Sequence, residues 1–414
     1  VPTGLNRNAA NHARTANAPS PPGHLHSLTP LRGIAALWVV LYHYAFQYFP
    51  NIHPERYTHL LQKGYLAVDL FFMLSGFVLT HVYHDAFSRP AQGTRFRGTY
   101  WNFLKARIAR LYPLHLAVLL LFVATALAFR TVEYAATGTF QPIPLQGAES
   151  VGALVANLLM VQGLYASMLS WNYPAWSISL EFMAYLVFPI ALPLVWRASG
   201  RVQATLALAA FAALGGLAWL TQDNLNQWDG PQTLLRCLPE FLLGTLLYSA
   251  YRCGLATSLL SRDATAAGLA LAILLLLHLN GPDLLAVPLF ALLILAAVAN
   301  RGRTARMLNI RPLVWLGDVS YSLYLLHGFV EYATTRLLML GPGIHDRKAL
   351  PGGWSVALLL AMVAVCLLVA GPAYRRIELA GRRYLRDGLS FARLSPGGAR
   401  MQSAVQRAAQ TPNG

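Results

Sequence analysis

Arg32 and His43 lie eleven residues apart in one apolar run, Leu31-Arg-Gly-Ile-Ala-Ala-Leu-Trp-Val-Val-Leu-Tyr-His43. At about 100° per residue, that spacing brings His43 back to within about 20° of the helical face that carries Arg32. The rise of ~1.5 Å per residue separates the two by roughly 16 Å along the axis. An Arg at a membrane boundary can extend its head into water, but an imidazole far inside an apolar run is costly and suits proton transfer. Other apolar runs carry Asp69, Glu181 and His327, the last with Tyr324 one turn before it. Carboxylates beside an imidazole can orient it and hold the imidazolium it becomes. Arg107 and Arg110, at i and i+3, put two guanidiniums on one helical face, suited to phosphate groups or to anionic lipid. Arg236 and Glu240, at i and i+4, fit either a substrate clamp or a structural ion pair within the membrane.

Chemistry of this kind needs elements that hold charges inside an apolar medium. The chain has 414 residues, of which 56% are hydrophobic and 12% charged, too apolar a balance for a water-soluble domain of this size to hide in one core. Runs of about 17 to 25 apolar residues mark membrane-spanning helices. They predict an all-α polytopic membrane protein of about ten spans, near 31–50, 64–83, 112–129, 175–196, 203–221, 234–251, 264–280, 284–300, 313–339 and 354–373. A shorter run, Val151 to Tyr165, carries Asn157 and Gln162 and reads as a re-entrant or interfacial helix between spans three and four. With ten spans and both termini inside, most of the 32 Lys and Arg fall on the cytoplasmic side. An eleventh span at 151–165 would turn three of the basic loops outward, so the charges favour ten.

In this frame His43, Asp69, Glu181 and His327 reach a common level in the outer half, and Arg32, Arg107 and Arg110 gather at the cytoplasmic boundary. The predicted organisation is a flexible cytoplasmic tail over 1–30, a transmembrane domain over 31–376 and a largely disordered basic tail over 377–414. The first 26 residues are polar and lack an apolar signal core, so the first span reads as an uncleaved anchor. Cys237, Cys253 and Cys366 lie far apart in apolar surroundings, without metal-ligand spacing, and read as buried thiols. The net charge of +16 is not gathered on a soluble, aromatic-interleaved patch. Lipid headgroups and anionic cofactors are the expected partners, not nucleic acid, and no metal is expected.

The opening helix from Leu31 to His43 resembles that of the acyltransferase 3 family of bacterial membrane proteins. Further segments are similar to the family's in the same order: Asp69 to Phe77, Arg107-x-x-Arg110-Leu-Tyr-Pro113, Trp176-Ser-Ile-Ser-Leu-Glu181, Glu240-Phe-Leu-Leu-Gly244 and Tyr321-Ser-Leu-Tyr-Leu-Leu-His327. The resemblance implies an enzyme of the bacterial inner membrane that moves an acetyl or other short acyl group from acyl-CoA to a hydroxyl of a saccharide or glycolipid, such as lipopolysaccharide or exopolysaccharide. It further implies that His43 is catalytic, with Glu181 or Asp69 orienting it. Arg32, Arg107 and Arg110 would hold the phosphates of CoA. Trp176, Ser179, Arg236, Glu240, Tyr324 and His327 would line the substrate site. The runner-up is a proton-coupled secondary transporter of a saccharide or amphipathic solute, since transporters also place carboxylates and His near the midplane. Transporters usually show inverted halves and broken helices, and neither is visible in the sequence.

Overall fold

The computed structural model describes residues 25, 27–90, 93–164, 170–222, 225–227, 230–255, 257–340 and 350–388. Among them are helices and no strands. α1 (Leu28–Tyr42) runs into a π-helical segment, His43–Tyr48. α2 (Ala67–Ser88) and the long α3 (Phe96–Thr137) follow, then the short α4 (Val151–Leu158) and α5 (Trp176–Arg197). α6 (Gly200–Thr221), α7 (Thr233–Arg252), α8 (Asp263–His278) and α9 (Ala286–Ala299) lead to a broken helix, α10 (Arg311–Asp318) and α11 (Ser320–Leu340). α12 (Gly352–Ala373) continues through a π turn, Tyr374–Leu379, into α13 (Ala380–Gly388).

Helices occupy all ten predicted segments, but five are individually long and apolar enough to cross a membrane: those within Gln62–Ser88, Phe96–Thr137, Tyr173–Arg197, Gly200–Thr221 and Gly352–Leu385. The pair α10 and α11, bent by 65°, makes a sixth if counted as one span. α8 and α9 are apolar but shorter, and α7 carries Arg236, Glu240 and Arg252. α3, at 42 residues, is about 63 Å long and exceeds the ~30 Å hydrocarbon layer at whichever end projects. The described part of the Val151 to Tyr165 run holds an eight-residue helix and a 3-10 turn, Gln162–Leu164. Polar and apolar side chains are distributed as lipid demands. Leu208 is 69% exposed, Trp219 78% and Leu368 74%, whereas Asp69, Arg236, Glu240 and His327 are fully buried.

Two departures concern the ends of elements. The predicted basic tail begins at 377, yet helix continues to Gly388 and Glu378 is buried against its neighbours. The remainder of that tail and most of the predicted N-terminal tail lie outside the described residues. Cys237 and Cys366 are buried as expected, but Cys253 is exposed because it follows the last residue of α7.

Without a hydrophobic drive between helices in lipid, close backbone approach at small residues does much of the packing. Gly76 of α2 faces the Phe241 carbonyl of α7, and Gly244 of α7 faces the Met73 carbonyl of α2. A Cβ at either position would strike that backbone oxygen. Gly244→Leu should therefore force α2 and α7 apart, costing roughly 1–3 kcal/mol or more and lowering the thermal midpoint of the detergent-solubilised protein. Gly98→Leu, in open space on α3, should leave it unchanged. Equal midpoints for the two variants would contradict this packing. α1 approaches α10 in the same manner, with Gly33 against the Gly317 backbone. Beyond it, Val40, Tyr44 and Phe49 pack with Leu323 of α11 and with Cys366 and Ala370 of α12.

Candidate active site

The break between α10 and α11 falls at Val319, so α11 begins inside the protein and presents Ser320, Tyr321 and Tyr324 to a cavity of about 130 Å³. Interrupted helices are tolerated at membrane depth where protein or a cavity surrounds the freed backbone. Arg32 of α1, Arg107 and Arg110 of α3, and Glu181 of α5 line the same cavity, with Ser75, Ser177 and Tyr185. Glu181 accepts hydrogen bonds from Ser75 and, at 2.6 Å, from Tyr185. The Arg107 guanidinium donates to the Tyr83 hydroxyl at 3.3 Å. Arg110 is ion-paired with Glu378 and lies over the Tyr321 ring, 5.0 Å from its centroid. Glu378 in turn accepts from Ser322 at 3.2 Å. The C-terminal π turn thereby offsets one of the three cationic charges at this cavity.

His43 does not line that cavity. It opens the π-helical segment, a kind of distortion frequent at functional sites. Its Nδ1–H donates to the Val39 carbonyl at 2.9 Å, which fixes the tautomer and leaves Nε2 free to accept a proton. The ring lies 4.9 Å from that of His327 and 5.1 Å from that of Tyr173. Tyr324, which lines the cavity, has its ring 5.7 Å from His327 and shares a 2.7 Å hydrogen bond with Ser177. The histidine pair thus stands behind the Tyr324 wall.

The predicted residues therefore separate into groups. Arg32, Arg107, Arg110, Glu181 and Tyr324 come together at the cavity, and His43 meets His327. No hydrogen bond or ion pair joins His43 to Asp69 or Glu181, although the expected arrangement had one of them orienting it. Asp69 is held elsewhere: Arg236 Nε and Nη2 reach its two oxygens at 3.0 and 2.6 Å. Arg236 also donates to the carbonyls of Gln227 and Tyr65, and Trp176 lies beneath its guanidinium. Its partner is Asp69 on another helix, with Glu240 of its own helix buried alongside. Ser179 accepts from the Gly163 amide and donates to the Trp176 carbonyl, a scaffold role for the turn after α4.

Sequence reasoning passed over Ser177 and Tyr185, although both share a face with Glu181 at four-residue spacing. It also passed over Tyr173 and Glu331, the second of which follows Tyr324 and His327 at i+7 and i+4 on α11. Glu378 lay in a stretch assigned to the tail. Among the described residues there is no group of three or more His, Cys, Asp or Glu that could hold a metal ion.

Residues 25–371 match the sequence model of an acyltransferase domain, covering every element that builds the cavity except the turn carrying Glu378. The chain belongs to the acyltransferase 3 family. This family is membrane-integral, in keeping with the exposed apolar helices. Acyltransferase MdmB of Streptomyces mycarofaciens is 30% identical over 400 residues, which cover 87% of this chain and 93% of that protein. Protein 2 in picA locus of Rhizobium radiobacter is 34% identical over 204 residues, 47% of this chain and 94% of that protein. O-acetyltransferase OatA of Staphylococcus aureus (strain NCTC 8325 / PS 47) is 25% identical over 337 residues, 74% of this chain and 50% of that protein. No solved structure matches. Family membership implies an acyl donor and an acceptor substrate.

Proposed function

We propose that this acyltransferase moves an acetyl or other short acyl group from cytoplasmic acyl-CoA to a hydroxyl of a cell-surface or exported saccharide or glycolipid. It does so from the bacterial cytoplasmic membrane, crossing it ten times with both termini inside. The observation that carries this reading is the convergence of Arg32, Arg107 and Arg110 on one cavity, with His43 opening the π-helical segment that continues the Arg32 helix. Guanidiniums suit the phosphates of a nucleotide-bearing donor, and the roughly 16 Å between Arg32 and His43 suits an extended pantetheine arm. An O-acetyltransferase among the relatives supports oxygen as the acceptor atom.

In the reaction, His43 Nε2 takes the proton of the acceptor hydroxyl while its oxygen bonds to the thioester carbonyl carbon. The carbon–sulfur bond breaks, the CoA thiolate leaves, and the proton on His43 passes to it.

Radiolabelled acetyl-CoA supplied to membranes carrying the enzyme should label a saccharide fraction. Mass spectrometry of surface glycans from cells with and without the gene identifies the acceptor. Arg107→Ala should raise KM for acetyl-CoA, and more steeply at low salt, because phosphate contacts near water are screened. Arg110→Ala should have the smaller effect, its charge being already offset by Glu378. An acetyl-pantetheine donor without nucleotide phosphates should be indifferent to both changes. An unchanged KM for acetyl-CoA in both variants would leave the arginines as lipid contacts and overturn this placement of the donor.

A further inference from the structure

Neither Asp69 nor Glu181 is hydrogen-bonded to His43. Asp69 is paired with Arg236, with Glu240 buried beside it. Glu181 is held at the cavity by Ser75 and Tyr185, and Glu378 by Arg110. Glu331, half-buried, lies on α11 one turn beyond His327, so Tyr324, His327 and Glu331 form a row at i, i+3 and i+7.

Tyr173 joins this row to His43. Its hydroxyl donates to Glu331 Oε2 at 2.7 Å, and its ring packs 5.1 Å from His43 and 6.0 Å from His327. Tyr173 itself is fixed in a 3-10 turn, Tyr173–Ala175, ahead of α5. Nearby, Asn172 ties that turn to the Leu325 carbonyl at 3.3 Å, and a Cβ on Gly328 would crowd Pro174. The turn is thus docked on α11 next to the histidines. His327, fully buried, makes no well-formed hydrogen bond at either ring nitrogen. Tyr44 fixes the backbone behind it, donating to the His327 carbonyl at 2.8 Å. The pair of rings therefore has two aromatic supports and one anionic group linked to them through a single hydroxyl.

We propose that Glu331 is the positioning residue of the His43 site: through Tyr173 it fixes the ring against which His43 packs, and its negative charge offsets the proton that His43 takes up. A proton placed on an imidazole away from water needs such a compensating charge. The inference rests on the reading of His43 as the base and supplies that base with a partner.

The test compares Glu331→Gln, Glu331→Asp and Tyr173→Phe in acetyl transfer from acetyl-CoA, with His43→Ala assayed alongside. Glutamine keeps the shape and can still accept from Tyr173 but removes the charge. Glu331→Gln should lower kcat by about tenfold or more while KM for acetyl-CoA stays at its wild-type value, the arginine cavity being untouched. Glu331→Asp should recover part of that loss, and Tyr173→Phe, which keeps the ring and loses the bond, should fall between wild type and Glu331→Gln. A wild-type kcat in Glu331→Gln overturns the proposal. So does a loss shared equally by kcat and the yield of folded protein, with no rescue by Asp, which marks a structural role. If His43→Ala keeps its activity, the base reading fails first; if His43→Ala is inactive and Glu331→Gln is normal, only the present inference fails.

Discussion

His43→Ala should reduce acyl transfer by at least about a hundredfold while leaving the protein folded and inserted, since a positioned general base contributes typically 10²- to 10⁴-fold. The side chain is well suited to separating chemistry from stability. Its hydrogen bond runs to the Val39 carbonyl one turn back, an oxygen on its own helix, and the ring is only partly buried. Its neighbours His327 and Tyr173 are each anchored independently, by α11 and by the turn before α5. The variant should therefore elute as a monodisperse species with a thermal midpoint near that of wild type. Binding of acetyl-CoA should also persist, because Arg32, Arg107 and Arg110 lie at the cavity and not at the histidine pair. The assay is single-turnover transfer of labelled acetyl in purified, folded protein. Turnover above about a tenth of the wild-type rate would remove His43 from the role of base.

Arg236→Ala should have the largest effect on stability. Removing the guanidinium leaves the fully buried Asp69 carboxylate without its counter-ion, and breaking a buried ion pair by deleting one partner costs about 3–5 kcal/mol. The carbonyls of Tyr65 and Gln227 lose donors in the same step. Folded protein should become scarce, or its thermal midpoint should drop sharply. The double variant Asp69→Leu/Arg236→Met should recover much of the loss, because replacing both charges with apolar groups removes the uncompensated one. A stable Arg236→Ala protein with weakened acceptor binding would instead reinstate Arg236 as a substrate clamp, the other role its spacing with Glu240 allowed.

The sequence was informative where chemistry conflicts with surroundings. An ionisable residue inside an apolar run is costly wherever the helix points, so Arg32, His43, Asp69, Glu181, Arg236, Glu240 and His327 stood out without any fold. Helix positions were equally legible, since periodicity and run length are local properties. Spacing along one run placed Arg32 and His43 eleven residues apart, but not the change to π-helical geometry at His43. Small residues gave a weaker signal: Gly76 and Gly244 are visible in the sequence, but their partner helix is not.

Pairing between helices was decided by tertiary structure alone. Depth along the membrane normal placed Asp69, Glu181 and His327 at one level, but each helix is free to rotate about its axis until its neighbours fix it. The rotation of α2 and α7, set by the close approach at Gly76 and Gly244, turns Asp69 toward Arg236. The bend at Val319 brings Ser320 and Tyr324 to the arginine cavity, and the turn at 374–379 returns Glu378 to Arg110. A linear sequence records which groups are too costly to bury alone. Which group relieves which is a property of helix rotation and neighbour order, and these are fixed only when the helices pack.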